Sequence, residues 1–225
     1  TKVVDNGDFL PVHHNFAPNV VVGFARLDGR SIGVVANQAN QMAGMLDIDA
    51  SDKAARFVNL CDAFQIPLVF LEDVPGFIVG SHAEKSGIIR HGSRMLYAVA
   101  RATVPKFTII LRKAYGAGYY VMCGRAFEPD LILAWPTAEI SVMGAEGMLG
   151  IAGGKLLQAA EDPEAMKAQL VEMIKAYITP YQVARLGLVD EVIDPRETRN
   201  HLIRGLEVTR NKTIERPWKR HGVSP

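Results

Sequence analysis

F-T-I-I-L-R-K-A-Y-G-A-G-Y-Y-V-M-C-G, residues 107–124, reads as a buried strand running into a helix. The apolar run 106–111 predicts a strand covered on both faces. It is expected to end at Arg112 and Lys113. Gly116, Ala117 and Gly118 follow, and 117–123 is expected as a short helix. Small residues at such a junction leave backbone N–H groups uncovered, and a helix N-terminus points its partial positive charge outward. The pattern suits an oxyanion cradle, in which a well-aimed donor is worth roughly 2.7–4 kcal/mol of transition-state stabilisation. On local grounds a second reading stands beside it: a tight strand-to-helix turn with glycines for close contact.

Upstream, Val20–Leu27 and residues 31–36 are apolar strands around Asp28-Gly29-Arg30, a strong hairpin signal because glycine tolerates the positive φ of a primed turn. Residues 49–64 carry Ala54, Phe57, Val58, Cys61 and Phe64 at helical spacing, with Ser51 as candidate N-cap. A buried strand at 66–71 and a helix at 87–103 repeat the unit. Downstream, 131–135 and 139–143 are strand-like. Asp162-Pro163 and Asp194-Pro195 each put a cap residue before a proline at the first helical position, and Glu197 approximates the second half of a capping box. Alternating strands and helices with buried strands predict an α/β domain with helices on a largely parallel sheet and a mostly helical tail. Residues 1–19, without periodicity, are expected as a linker leading into a domain over 20–225.

The 225 residues suffice for one sizeable core. Lys plus Arg number 25 against 24 for Asp plus Glu, so no bulk charge favours nucleic acid or an anionic membrane surface. No apolar run is long enough to span a bilayer, and the start lacks the order of a signal peptide. Cys61 and Cys123 fall in apolar segments and are expected as buried, reduced thiols.

Asp73-Val74-Pro75-Gly76-Phe77 closes a strand, where Pro-Gly predicts a type II turn at a position α/β sheets use for binding. Gly144, Ala145 and Glu146 open another small-residue loop. Glu146 is a general base if buried and a solvated loop carboxylate otherwise. The six histidines show no metal-ligand spacing, and no nucleophile elbow, P-loop or dinucleotide fingerprint occurs. Glu164-Ala165-Met166-Lys167 is similar to the lysine motif of biotin carriers. Here it lies in a helical pattern, with Met166, Leu170, Met173, Ile174 and Tyr177 on one face, so Lys167 is expected at the surface.

Taken in order, these segments resemble the C-terminal half of the carboxyltransferase (β) subunit of biotin-dependent acyl-CoA carboxylases, the propionyl-, methylcrotonyl- and acetyl-CoA type. The resemblance rests on V-V-G-F-A-R-L-D-G-R at 21–30, V-A-N-Q at 35–38 and L-D-I-D-A-S-D-K-A-A-R-F at 46–57. It continues with I-P-L-V-F-L-E-D-V-P-G-F at 66–77, G-I-I-R-H-G at 87–92, K-A-Y-G-A-G at 113–118 and A-W-P-T-A-E-I-S-V-M-G at 134–144. It implies a crotonase-like (ββα superhelix) fold and a site shared with an N-terminal half from a dimer mate. That half binds acyl-CoA, while this one receives carboxybiotin from a separate carrier. Implied partners are the N-terminal half, the biotin carboxyl carrier and biotin carboxylase, in a homo-oligomer placed in the bacterial cytoplasm or mitochondrial matrix. Carried over by position, the Ala117 and Gly118 amides hold the biotin ureido oxygen. Gly116, Tyr120, Val74, Pro75, Gly76, Phe77, Gly144, Ala145 and Glu146 line the biotin and acyl pocket. No metal is implied.

The chain reads Gly-Ala-Gly where many of the family read Gly-Gly-Ala, and Tyr120 is bulky, which leaves the acyl group open. The same residues fit a biotin-dependent decarboxylase subunit, a hydratase or isomerase using Glu146, or a non-catalytic assembly domain. Without the first half, this chain alone is expected to lack full activity.

Overall fold

The computed structural model describes residues 2–158 and 160–215. The strands are β1 (Phe9–Val12), β2 (Val20–Leu27), β3 (Arg30–Asn37), β4 (Leu68–Val74), β5 (Lys106–Tyr115), β6 (Leu131–Ala134), β7 (Glu139–Ser141) and β8 (Glu191–Val192). The helices are α1 (Ile48–Ala63), α2 (Ser81–Lys85), α3 (Ile88–Arg101), α4 (Gly116–Val121), α5 (Ala145–Ala152), α6 (Gly154–Gln158), α7 (Pro163–Tyr177), α8 (Pro180–Arg185) and α9 (Thr198–Val208).

One sheet runs β1-β2-β3-β4-β5-β6-β8, and β7 pairs with the far end of β5. The first three strands are antiparallel and the rest are parallel, so the chain is an α/β protein. Asp28 and Gly29 close the β2–β3 hairpin with φ of 50° and 74°, the positive pair that a type I′ turn requires. Alternate β4 residues serve opposite cores. Leu68, Phe70 and Val74 join α1, α3 and α4 on one face, while Val69 joins Leu202 and Leu206 of α9 on the other. Burial on both faces is why these strands read as unbroken apolar runs. Cys61 and Cys123 are buried and unpaired.

Several details differ from expectation. Within 1–19, Phe9–Val12 adds an edge strand to β2, a pairing that a short segment with a central proline does not advertise. The domain expected over 20–225 ends in residues that lie outside those described. The N-cap of α1 is Asp47, whose Oδ1 accepts from Ala50 N at 2.9 Å. Ser51 is buried one turn in and donates to Asp47 O at 2.7 Å. Phe64 is 70% exposed, because the helix ends before it turns inward. Glu197 does not reach back to a cap amide; its carboxylate accepts from Asn200 at 3.0 Å. On α7 the inward stripe is Met166, Leu170, Val171 and Ile174, whereas Met173 and Tyr177 face solvent, as does Lys167.

Candidate functional site

The site is built where β5 changes partner. Residues 107–110 pair with β6 and 113–115 with β7. Between these stretches the β4–β5 register slips: Glu72 faces Ile110, yet Val74 faces Ala114. The surplus residues on β5 form a bulge that re-aims the strand end. Arg112 and Lys113 therefore belong to the strand, which continues to Tyr115 rather than ending at them.

Asp73 holds the bulge. Its carboxylate accepts from Arg112 Nη2 at 2.8 Å, from Arg112 Nε at 3.2 Å and from Lys113 N at 3.3 Å. Its own N–H donates to Asn37 Oδ1 at 3.2 Å, and Asn37 Nδ2 donates to Gly44 O at 3.2 Å. A bidentate Arg–carboxylate pair fixes orientation as well as distance.

Beyond β5, Gly116 opens α4 with φ of 55°, and a Cβ there would meet Val142 O at 2.8 Å. Among the described residues no side chain caps α4, and the first N–H groups of a helix have no intrahelical acceptor. Gly118 is buried against β4: a Cβ would lie 2.9 Å from Val74 Cγ1 and 3.1 Å from Gly76 Cα. Ala117 faces outward and lines a groove of about 350 Å³ with Phe77, Val79, Ile88, Ile89 and Leu96. The groove wall is mainly apolar and open to solvent on one side, where Val79 and Ile89 are exposed.

Residues 75–78 form the rim. Gly76 has φ of 134°, open to glycine but far from the value of about 80° in a type II turn. The segment is instead laid along residues 42–46, with Leu46 N donating to Gly76 O at 3.0 Å and Ile78 N to Leu46 O at 2.9 Å. On the other side, the Tyr115 hydroxyl donates to the Glu139 carboxylate, and the Tyr115 ring lies against Gly144. Burial, then Glu139, raises the Tyr115 pKa well above its usual value, so this phenol stays protonated. Ala145 is buried at the start of α5, and Glu146 beside it is exposed. Tyr120 is 45% exposed, its ring edge-on to Tyr119 with centroids 5.2 Å apart.

The structure thus gathers Val74, Gly76, Phe77, Gly116, Ala117 and Gly118 around one strand end, with Gly144 and Ala145 reached through Tyr115. Glu146 lies in solvent, as the solvated-carboxylate reading expected, but Ala145 and Glu146 open helix α5 rather than a loop. Sequence reasoning missed Val79, Ile88, Ile89 and Leu96. The run I-I-R-H-G at 88–92 marks Ile88 and Ile89 without showing which side faces the groove, and Val79 and Leu96 lie outside it. It also missed Glu72, fully buried beside Asp73 with no hydrogen-bond partner among the described residues. Burial, then Asp73, pushes its pKa well above the usual carboxyl range. Among the described residues no group of three or more His, Cys, Asp and Glu is placed to hold a metal ion. Nor is any helix there long and apolar enough to cross a membrane.

A family profile described as the carboxyl transferase domain matches residues 1–224. The 12S subunit of methylmalonyl-CoA carboxyltransferase from Propionibacterium freudenreichii subsp. shermanii is 54% identical over all of this chain and 43% of its own length. The alpha subunit of methylmalonyl-CoA decarboxylase from Propionigenium modestum is 47% identical over all of this chain and 44% of its own. Among solved structures, hexameric transcarboxylase 12S with methylmalonyl-coenzyme A and methylmalonic acid bound superposes with a TM-score of 0.95 at 53% identity. It covers 100% of this chain and 43% of that one. The chain therefore spans less than half the length of the relatives it matches.

Proposed function

The chain belongs to the carboxyl transferase domain family and has its crotonase-like α/β fold, and from that premise we propose that it is the C-terminal half of a biotin-dependent acyl-CoA carboxyltransferase subunit. The observation that carries this reading is the junction at Gly116, Ala117 and Gly118. Ala117 lines an apolar groove, and side chains at the two glycines would strike Val142 and Val74. That cradle fits the ureido group of biotin, which is neutral, planar and rich in acceptor oxygen. When bound, biotin supplies the carboxyl group and, once that has left, a ring nitrogen able to take the substrate's α-proton.

The chain's own residues hold and shield. The Ala117 and Gly118 amides donate to the oxygen on which negative charge develops, and donors fixed beforehand need no reorganisation at that moment. Phe77, Ile88 and Leu96 give the groove an apolar wall that excludes water once the missing half covers it, strengthening those bonds. Val74, Pro75 and Gly76 back the amides, and Tyr115 with Glu139 holds Gly144 and Ala145 alongside. Tyr120, half-exposed on α4, shapes the acyl side of the pocket. Glu146, in solvent, is not needed as a base.

Methylmalonyl-CoA, handled by the relatives named above, points to the propionyl/methylmalonyl pair as acyl group. The N-terminal half, a biotin carrier and, for a carboxylase, biotin carboxylase complete the enzyme. The decarboxylase relative supports a second reading in which the same site runs from methylmalonyl-CoA to biotin.

Carboxyl transfer from free carboxybiotin to acetyl-, propionyl-, butyryl- and methylcrotonyl-CoA tests this, with the chain alone and with a matching N-terminal half. Activity confined to the mixture and highest with propionyl-CoA is expected. Two associated halves that transfer nothing in either direction would overturn the assignment.

A further inference from the structure

Two strands that run parallel normally advance together. Here, across one interval of the ladder, β4 goes from Glu72 to Val74 while β5 goes from Ile110 to Ala114. Asp73 lies at that interval and is 9% exposed. Its carboxylate engages the surplus residues, taking the Arg112 guanidinium with two nitrogens and the Lys113 N–H. Its backbone is anchored from the opposite side: the N–H donates to Asn37, and Gly44 lies so near that a Cβ would be 2.6 Å from Asp73 O. The next residue on β4, Val74, is the one that Gly118 rests against. One short stretch of β4 therefore fixes both the path of β5 into α4 and the depth at which α4 sits. Arg112 is about half-exposed, while Asp73 is nearly sealed, so the clamp closes from the solvent side onto a fixed carboxylate.

We infer that Asp73 is a positioning residue for the Ala117 and Gly118 amides, acting through its clamp on Arg112 and the β5 bulge. This rests on the reading of those amides as the donors to the biotin oxygen. Without the carboxylate, the Arg112 side chain is released and the Lys113 N–H loses its acceptor. The bulge can then relax along β7, shifting Gly116 and the amides behind it.

The test uses the assembled enzyme containing both halves, with Asp73→Asn, Arg112→Gln, the double variant and Gly116→Ala compared at a temperature where each is folded. Asp73→Asn is expected to lower kcat for carboxyl transfer roughly 10- to 100-fold, the penalty of a small misplacement of reacting groups, with the acyl-CoA KM unchanged. The double variant should fall no further than the worse single one, because the two residues act as a unit. A role in stability alone would lower the melting temperature and leave kcat per folded molecule intact. Folded Asp73→Asn with kcat within about twofold of wild type, while Gly116→Ala loses activity, overturns the inference and spares the site reading. If Gly116→Ala, whose Cβ would strike Val142 O, keeps wild-type kcat, the site reading itself fails, and the inference with it. Should Asp73→Asn not fold, Arg112→Gln carries the same kcat comparison.

Discussion

Lys53, nearly sealed from solvent on α1, donates from Nζ to the Val20 carbonyl at 2.7 Å. The same ammonium reaches Phe16 O at 2.6 Å and Ala17 O at 3.2 Å, so one side chain gathers the turn that feeds β2. Lys53→Met keeps much of the volume but leaves those carbonyls without their donor. The loss is expected to be about 2–3 kcal/mol, since an unmet buried acceptor bears its full desolvation penalty. Urea unfolding followed by circular dichroism measures it; a change below about 0.5 kcal/mol, the range of an ordinary surface substitution, would contradict this account.

Glu72 imposes a pH dependence of definite sign. Its folded-state pKa is raised, by burial first and Asp73 second. Above the unfolded carboxyl pKa of about 4.3, the unfolded chain releases a proton that the folded chain keeps. Stability must then fall as pH rises from there toward the folded pKa, by up to about 1.4 kcal/mol per pH unit for one proton. Glu72→Gln removes this contribution. The variant should gain on wild type as pH rises from 4 to 7, read as the difference in urea midpoints. A constant difference across that range would show that Glu72 does not hold its proton.

The two thiols are sealed in the core. Burial pushes Cys61 up to about 12, with Asp62 adding to it, and burial likewise pushes Cys123 up to about 12. Neither should react with iodoacetamide in the native protein at pH 8, and both should react once urea unfolds it. Each raised pKa also means that the unfolded state loses protons first, so stability should decline as pH climbs above about 9. Mass spectrometry of native and unfolded samples settles the first point; rapid native labelling of either cysteine would refute it.

Legibility in the sequence followed the range of the interactions. The β2–β3 turn was readable because Asp28-Gly29 acts locally, and the buried strands because both faces demand apolar side chains. The small residues at 116–118 were readable as a possible cradle for the same reason. What escaped depends on register between distant segments. Nothing near Arg112 says that β4 will meet β5 out of step, so the Asp73 clamp was invisible and β5 was cut short. The groove side of α3 was hidden because Ile88, Ile89 and Leu96 read equally well as core. Asp47 and Ser51 are both cap-favouring residues within one turn, and spacing alone does not say which of them accepts from Ala50 N. Phe9–Val12 was passed over because an edge strand answers to a neighbour's exposed backbone more than to its own pattern.

Asp5 accepts the Asp28 and Gly29 amides at 3.0 and 2.8 Å and pairs with Arg199 at 2.6 Å, a contact spanning 194 residues. Arg199 also donates to Val3 O at 2.8 Å. The hairpin tip, the segment before β1 and α9 are thus tied in one knot of charge. Such a closure spans a loop of 194 residues, and its entropy opposes it until the sheet between is in place. Kinetically, the α9 face is a late-locking element: on a ribosome the sheet can assemble strand by strand, but this bolt slides home only after residue 199 has emerged.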